Sequence, residues 1–352
     1  MSRFLSERYT ALKPYVPGEQ PRDRQYVKLN TNESPFPPPP EAIEYAHTHA
    51  RSYELYSDPE AVELRRALAE RYQVTPENVM VSSGSDEMLN FAFAAFGSDA
   101  RPALFPDITY GFYRVYANIN RIPYTEIPLE DDLTIRLDRY AGQKAVVFLA
   151  NPNAPTGIFI PPAEIARLAQ RSPDSVIVVD EAYVDFGGES CIPLIGRHDN
   201  ILVVQTFSKS RSMAGARLGF CAGSPQLIRD LQTIRYSLNP YNVNSFTQAL
   251  GIGILRSEEK VRANCRTIIE NRAYLTDRLK ALGFSCTDSL ANFVFTRHPR
   301  LNGGALYEML RERGVLVRHF DQLRISRYNR ITVGTREQID RLIAEIRNIM
   351  EA

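Results

Sequence analysis

A lysine, an aspartate and an arginine in this chain are placed where their side chains could act together. Lys209 lies in Thr206-Phe207-Ser208-Lys209-Ser210-Arg211-Ser212-Met213-Ala214-Gly215-Ala216-Arg217-Leu218-Gly219, directly after the apolar run Ile201-Leu202-Val203-Val204. Such a run reads as a buried strand, so Lys209 falls just past a strand end, from which it can reach into a cleft. A lysine in a partly desolvated site gives up its proton readily and can attack a carbonyl as a Schiff-base amine. A lone lysine beside an arginine would be a solvated surface residue. The small residues on both sides, which admit a bulky ligand, and Arg217 further on, which can hold an anion, weigh against that reading.

The second group is Asp180, in Val176-Ile177-Val178-Val179-Asp180-Glu181-Ala182-Tyr183. Burying a carboxylate is costly unless it is paired, so an aspartate directly after four β-branched residues calls for a cationic partner. A protonated pyridine nitrogen would be such a partner. A third apolar run, Ala145-Val146-Val147-Phe148-Leu149, leads into Asn151-Pro152-Asn153-Ala154-Pro155-Thr156-Gly157.

Taken together, these segments resemble the pyridoxal-phosphate enzymes of the aspartate aminotransferase fold. The resemblance implies that Asp180 grips the ring nitrogen, Lys209 holds the aldehyde and Arg217 holds the phosphate of pyridoxal 5'-phosphate. It further implies that Tyr183 hydrogen-bonds the ring oxygen and that Tyr110, in Phe105-Pro106-Asp107-Ile108-Thr109-Tyr110-Gly111, stacks on the ring. The usual partner of that oxygen is the asparagine directly before Pro-Thr-Gly. This chain has Ala154 there, so Asn153 is expected to serve instead.

These residues need a scaffold. Strands alternating with helices from about 78 to 223 call for a mostly parallel sheet covered on both faces, an α/β architecture with ligands at the carboxyl ends of the strands. Asp180, Ser208 and Lys209 all follow strand ends, so one cleft can collect them. The strand at 78–83 passes through Gly84 into a helix, a geometry that aims the free N–H groups of Ser85 and Asp86 at a phosphate. Asp58-Pro59 reads as a cap and first-turn proline opening a helix through Tyr72. The stretch from Tyr236 to Ser245 breaks the alternation and leads into helices near 244–256 and 258–282. A smaller α+β domain follows, with strands near 292–296, 315–319 and 330–333 and a helix from about 335. The expected division is an N-terminal arm over 1–30, a large cofactor-binding domain over 31–243 and a small domain over 244–352.

Composition narrows the rest. Of 352 residues, 44% are hydrophobic and 24% charged, and the net charge of +1 points to neither nucleic acid nor a membrane surface. No signal-peptide core and no run near membrane length is present, so a cytoplasmic enzyme is expected. Cys191, Cys221, Cys265 and Cys286 form no CxxC pair; free thiols are expected, and neither a metal site nor a redox couple is.

Within the fold family the closest resemblance is to histidinol-phosphate aminotransferases. It rests on "PYVPG" at 14–18, "LNTNESP" at 29–35, "SSGSDE" at 82–87, "DEAYVDF" at 180–186, "PYNVN" at 240–244, "ANF" at 291–293 and "RITVGT" at 330–335. It implies transfer of the amino group of L-histidinol phosphate to 2-oxoglutarate. Arg330, Arg318, Tyr15 and Asn32 are then the substrate-side candidates, with Arg324 a third arginine of interest. On general grounds Tyr56 is a packing residue. The resemblance implies instead that it crosses to a partner's cofactor phosphate, so a homodimer is expected. Aromatic amino acid transamination, threonine-phosphate decarboxylation and a non-catalytic cofactor-binding protein share the same cofactor residues.

Overall fold

The computed structural model describes residues 2–351. Thirteen strands are assigned: β1 Val27–Lys28, β2 Val79–Ser82, β3 Ala103–Pro106, β4 Tyr124–Ile127, β5 Val146–Ala150, β6 Val176–Asp180, β7 Ile201–Thr206, β8 Gly219–Gly223, β9 Ser285–Cys286, β10 Phe293–Arg297, β11 Val315–Leu316, β12 Arg318–His319 and β13 Tyr328–Thr332. Seven of them form the main sheet in the order β2-β8-β7-β6-β5-β3-β4. All neighbouring pairs are parallel except those of β8, which runs against both β2 and β7.

The three central strands, β5 to β7, are apolar up to their carboxyl ends because both faces of the sheet are covered. Alternation sends Val147, Leu149, Ile177, Val179, Ile201 and Val203 into one core, and Val146, Phe148, Val176, Val178, Leu202 and Val204 into the other. The second core is closed by the helices Ser85–Phe96, Phe112–Ile119 and Pro225–Leu238. Each such side chain, wholly buried, contributes roughly 1.5–3 kcal/mol of transfer free energy.

The small sheet, β12-β13-β10-β9, is antiparallel and carries the helices Gly303–Glu312 and Arg336–Glu351. The N-terminal arm takes part in this region: β1 pairs in parallel with β11, and Leu29 O accepts from Thr332 N. The long helix Glu258–Ala281 runs between the two parts. The preceding helix, Ser245–Arg256, packs on the helices Pro40–His49 and Val62–Tyr72.

One local expectation is corrected. Asp58 does cap, accepting from Glu60 N at 2.9 Å and Val62 N at 2.8 Å, but it closes a separate turn. The helix begins only at Val62 because Ala61 is left-handed (φ 44°) and breaks the helical path.

Candidate active site

Period-two alternation along β6 decides which acid faces the chemistry. Asp180 shares parity with Val176 and Val178 and so turns toward the second core, where Tyr113 Oη donates to its Oδ2 at 2.9 Å. Ala182 N donates to Oδ1 at 3.2 Å. Burial pushes this carboxyl up to about 6, against the pull of those two donors. No ion-pair partner lies within reach of it among the described residues. Glu181, with opposite parity, is fully engaged elsewhere: it accepts from Cys191 N at 2.6 Å, Ser190 Oγ at 2.6 Å and Gln205 Nε2 at 2.8 Å. Asp180 is therefore the buried acid still short of a cation.

The loop between β7 and β8 begins and ends at one point, since Thr206 pairs with Gly219. Phe207 N to Leu218 O and Met213 N to Phe207 O, both 2.9 Å, tie it down. That closure returns Arg217 to the strand end from which Lys209 departs, with Arg217 held in a left-handed conformation (φ 54°). Lys209 Nζ donates to Thr31 O at 3.3 Å and lies 5.9 Å from the centre of the Tyr183 ring. Burial, and then the Arg330 cation, bring Lys209 down to about 8. An amine so placed is largely available as a nucleophile in mildly alkaline solution.

An anion cradle adjoins it. The helix Ser85–Phe96 starts after Gly84, whose φ of 82° and close approach to Arg217 suit only glycine. A Cβ at Gly84 would stand 2.5 Å from Arg217 Nη2, and one at Gly219 would collide with Ser85 N. The missing side chains let the free N–H groups at this helix start, the Ser208 hydroxyl and the Arg217 guanidinium share one small space. Asp86 presently occupies Arg217 (Nη2 to Oδ2, 3.1 Å) and accepts from Tyr110 Oη at 2.6 Å.

Lys209, Asp180, Tyr183, Ser85, Asp86, Tyr110, Ser208 and Arg217 line one cavity of about 210 Å³, with Thr31, Glu33 and Ala154. Tyr110 and Ala154 also border a second cavity of about 350 Å³, together with Tyr15, Arg318 and Arg330. Tyr15 stacks on Phe112 with ring centres 4.2 Å apart. Arg330 is half-buried over the Phe293 and Phe320 rings and donates to Asn30 O at 3.0 Å, while its Nε has no partner. Arg318 donates to the carbonyls of Val16 and Pro17 at 3.1 and 3.3 Å. Arg324 is bound up elsewhere, with Asp107 Oδ2 at 2.7 Å and the carbonyls of Leu129 and Glu130.

Three expected contacts fall outside the cavity: Asn153, Tyr56 and Asn32, the last buried with its amide on the Tyr183 hydroxyl at 3.0 Å. Asn153 borders neither space: its Oδ1 accepts from Thr109 Oγ1 at 2.7 Å, and its Nδ2 donates to Ile108 O and Thr156 Oγ1 at 3.0 and 3.1 Å. Ala154 presents only a methyl where the side chain would have been needed. Tyr56 is 82% exposed, stacked on Tyr241 at 4.4 Å, and does not line its own chain's cavity.

Sequence reading missed Tyr113, whose signal was its position three residues after Tyr110, one helical turn away. It also missed Asn292 and Thr332, which hold Asn32 through its carbonyl (2.9 Å) and its Oδ1 (3.0 Å). A larger cavity of about 550 Å³ lies around Arg71, Arg211, Arg262 and Glu258, but these are already paired with one another or with Asp185.

The donor set fits pyridoxal 5'-phosphate: a buried acid without a counter-ion, an amine brought near neutrality, and an anion cradle opened by two glycines. Comparison with known proteins agrees. The family described as aminotransferase class I and II matches residues 24–346. The histidinol-phosphate aminotransferase of Acetobacter pasteurianus is 45% identical over 99% of both chains. Histidinol-phosphate aminotransferase 1 of Bradyrhizobium diazoefficiens is 47% identical over 99% of this chain and all of its own. The fold matches that of the Sinorhizobium meliloti histidinol-phosphate aminotransferase crystallised in complex with pyridoxal-5'-phosphate, with a TM-score of 0.85 at 24% identity over 93% of this chain and 92% of that one. A family match spanning most of the chain, with relatives of such identity at full length, assigns the molecule: it belongs to the class I and II aminotransferases, enzymes that work with pyridoxal phosphate.

Proposed function

We propose that this chain is an aminotransferase that takes the amino group from L-histidinol phosphate, leaving imidazole-acetol phosphate, and delivers it to 2-oxoglutarate to give L-glutamate, a step of histidine biosynthesis. The observation that carries the reading is the convergence of Lys209, Asp180 and Arg217 on one cavity that shares Tyr110 and Ala154 with the cavity bordered by Arg330. Relatives of that name at 45–47% identity support the choice of donor.

Bound pyridoxal phosphate supplies the electron-withdrawing ring that accepts the pair released at the amino-bearing carbon. Asp180 holds its ring nitrogen cationic, and Tyr110 covers the ring and excludes water. Ser85 and Asp86 through their N–H groups, Ser208 through its hydroxyl and Arg217 through its guanidinium hold the phosphate. Tyr183 donates to the ring oxygen. Lys209 Nζ would hold the aldehyde of the bound cofactor, and the same amine is placed to move the proton at the donor's amino-bearing carbon.

The donor carries a phosphate and no carboxylate, whereas glutamate carries two carboxylates. A guanidinium fork fits both anions, so Arg330 and Arg318, with Tyr15 and Asn32 beside them, form the alternating anion site. Tyr56, exposed in the single chain, reaches the cofactor phosphate of a second copy; the working form is a cytoplasmic homodimer with shared sites. The functional units are the arm 1–30, the cofactor domain 31–243 and the small domain 244–352.

The test is the specificity constant with 2-oxoglutarate as acceptor for L-histidinol phosphate, L-phenylalanine and L-threonine phosphate. The reading expects histidinol phosphate to lead. A lead for phenylalanine, or carbon dioxide release from threonine phosphate, would reassign the substrate.

A further inference from the structure

We infer that Tyr113 is a positioning residue for the cofactor: through its hydroxyl it keeps Asp180 aimed and ionised for the ring nitrogen. The inference rests on the reading above that Asp180 meets that nitrogen, and adds a residue that does not itself touch the cavity.

Three observations carry it. The first is the hydrogen bond: Tyr113 Oη to Asp180 Oδ2 at 2.9 Å, between two wholly buried groups. Oδ1 has only a longer contact, 3.2 Å from Ala182 N, so the phenol is the stronger of two protein donors to a nearly buried carboxylate at the wall of the cavity.

The second is the rigidity of the phenol. Its ring meets Phe105 edge-on at 5.9 Å, Tyr110 edge-on at 5.7 Å and Phe148 at 5.6 Å, and Tyr113 N donates to Tyr110 O at 3.1 Å. Packed from several directions, the ring has little freedom to swing the hydroxyl away from Asp180.

The third is the choice of proton donor. A phenol is already a weak acid, and burial and then the Asp180 charge weaken its acidity further, so it donates here and never competes for the charge. A cationic donor in its place would neutralise Asp180 and remove its attraction for the ring nitrogen. A hydroxyl fixes the carboxylate without cancelling it. The same side chain backs Tyr110, so one residue supports both the group under the ring nitrogen and the aromatic over the ring face.

The experiment compares wild type, Tyr113→Phe, Asp180→Asn and the double variant as holoenzymes loaded with pyridoxal phosphate carrying 15N in the ring. It reads the ring-nitrogen chemical shift and the cofactor dissociation constant. Tyr113→Phe keeps the ring in its slot and is expected to move the shift toward that of a neutral pyridine and to weaken cofactor binding by about tenfold, the effect of one hydrogen bond to a charged group. Because Tyr113 acts through Asp180, adding Tyr113→Phe to Asp180→Asn is expected to cause no further loss.

A wild-type shift and affinity in Tyr113→Phe, with both lost in Asp180→Asn, would overturn the inference and leave the reading of Asp180 standing. A wild-type shift in both single variants would remove Asp180 from the ring nitrogen, and the inference with it. If Tyr113→Phe alone does not fold, the double variant set against Asp180→Asn decides: a further loss of affinity contradicts action through Asp180.

Discussion

Asn32 Nδ2 donates to the hydroxyl of Tyr183 at 3.0 Å, joining the N-terminal segment to the strand end that carries Asp180. Asn32 is itself fixed, with its Oδ1 accepting from Thr332 Oγ1 and its carbonyl from Asn292 Nδ2. One lone pair of the phenol oxygen is thereby occupied, and its proton is left to point into the cavity. Asn32→Ala is expected to lower kcat by about tenfold and stability by about 1–2 kcal/mol, since a buried hydroxyl loses its partner. Steady-state kinetics and urea unfolding measure the two effects. An unchanged kcat would remove Asn32 from the working site.

Asp180 makes the cofactor-free protein pH-sensitive. Its folded value of about 6 lies above its ordinary 3.8. The folded form therefore binds more protons than the unfolded form between the two, and stability is lost as pH rises through about 6. Asp180→Asn removes that cost, so the apoenzyme at pH 8 is expected to gain about 3 kcal/mol while cofactor retention collapses. Equal unfolding midpoints for the two apoenzymes would contradict the assignment of Asp180 as an unpaired buried acid.

Lys209 should carry the cofactor covalently. Borohydride reduction of the holoenzyme is expected to fix the cofactor on the peptide containing Lys209, as read by mass spectrometry, and Lys209→Ala is expected to leave that peptide unlabelled. In the apoenzyme Lys209 has the opposite linkage to Asp180. With a folded value of about 8 against 10.5, its charged form is disfavoured, and its contribution to stability improves as pH rises from 8 toward 10.5. Label on another lysine would displace Lys209 from its role.

The arginines of the small domain separate by their partners. Arg330→Ala is expected to lower kcat/KM by about 100-fold, mainly through KM for both substrates, because a half-buried guanidinium fork is lost. Arg324→Ala, which breaks a half-exposed pair with Asp107, is expected to cost about 1 kcal/mol of stability and little activity. The reverse pattern would exchange their roles.

Active sites shared in the proposed homodimer would give complementation. Lys209→Ala and Tyr56→Ala homodimers are each expected to be nearly inactive. A mixed dimer carries both lesions in one site and none in the other, so about half the wild-type activity should return. Failure to regain activity in a verified mixed dimer would place Tyr56 outside the partner's site.

Much of the candidate site was legible because the residues proposed to do its chemistry stand at strand ends. Four β-branched residues followed by Asp180, a strand followed by Ser208 and Lys209, and Gly84 between a strand and a helix each have one structural meaning. The rest depended on tertiary partners. Asn153 and Ala154 are adjacent, and only the bonds to Thr109 and Ile108 decide that the amide turns away from the cavity. Arg324 and Arg330 look alike in sequence; Asp107, over two hundred residues earlier, claims the former. Tyr113 gains its meaning from Asp180, and the two come together only when the sheet and its covering helix pack. The delayed start of the helix at Val62 likewise turns on the left-handed Ala61, a conformation that alanine does not announce.

The most direct test of the central claim is a half-reaction. Purified holoenzyme is mixed with L-histidinol phosphate alone, and the absorbance of the bound cofactor is followed through its conversion from the aldehyde-derived to the amine form. The account predicts rapid conversion, reversed by 2-oxoglutarate, with L-phenylalanine and L-threonine phosphate far slower. No conversion by histidinol phosphate under conditions where phenylalanine converts the cofactor quickly would contradict it.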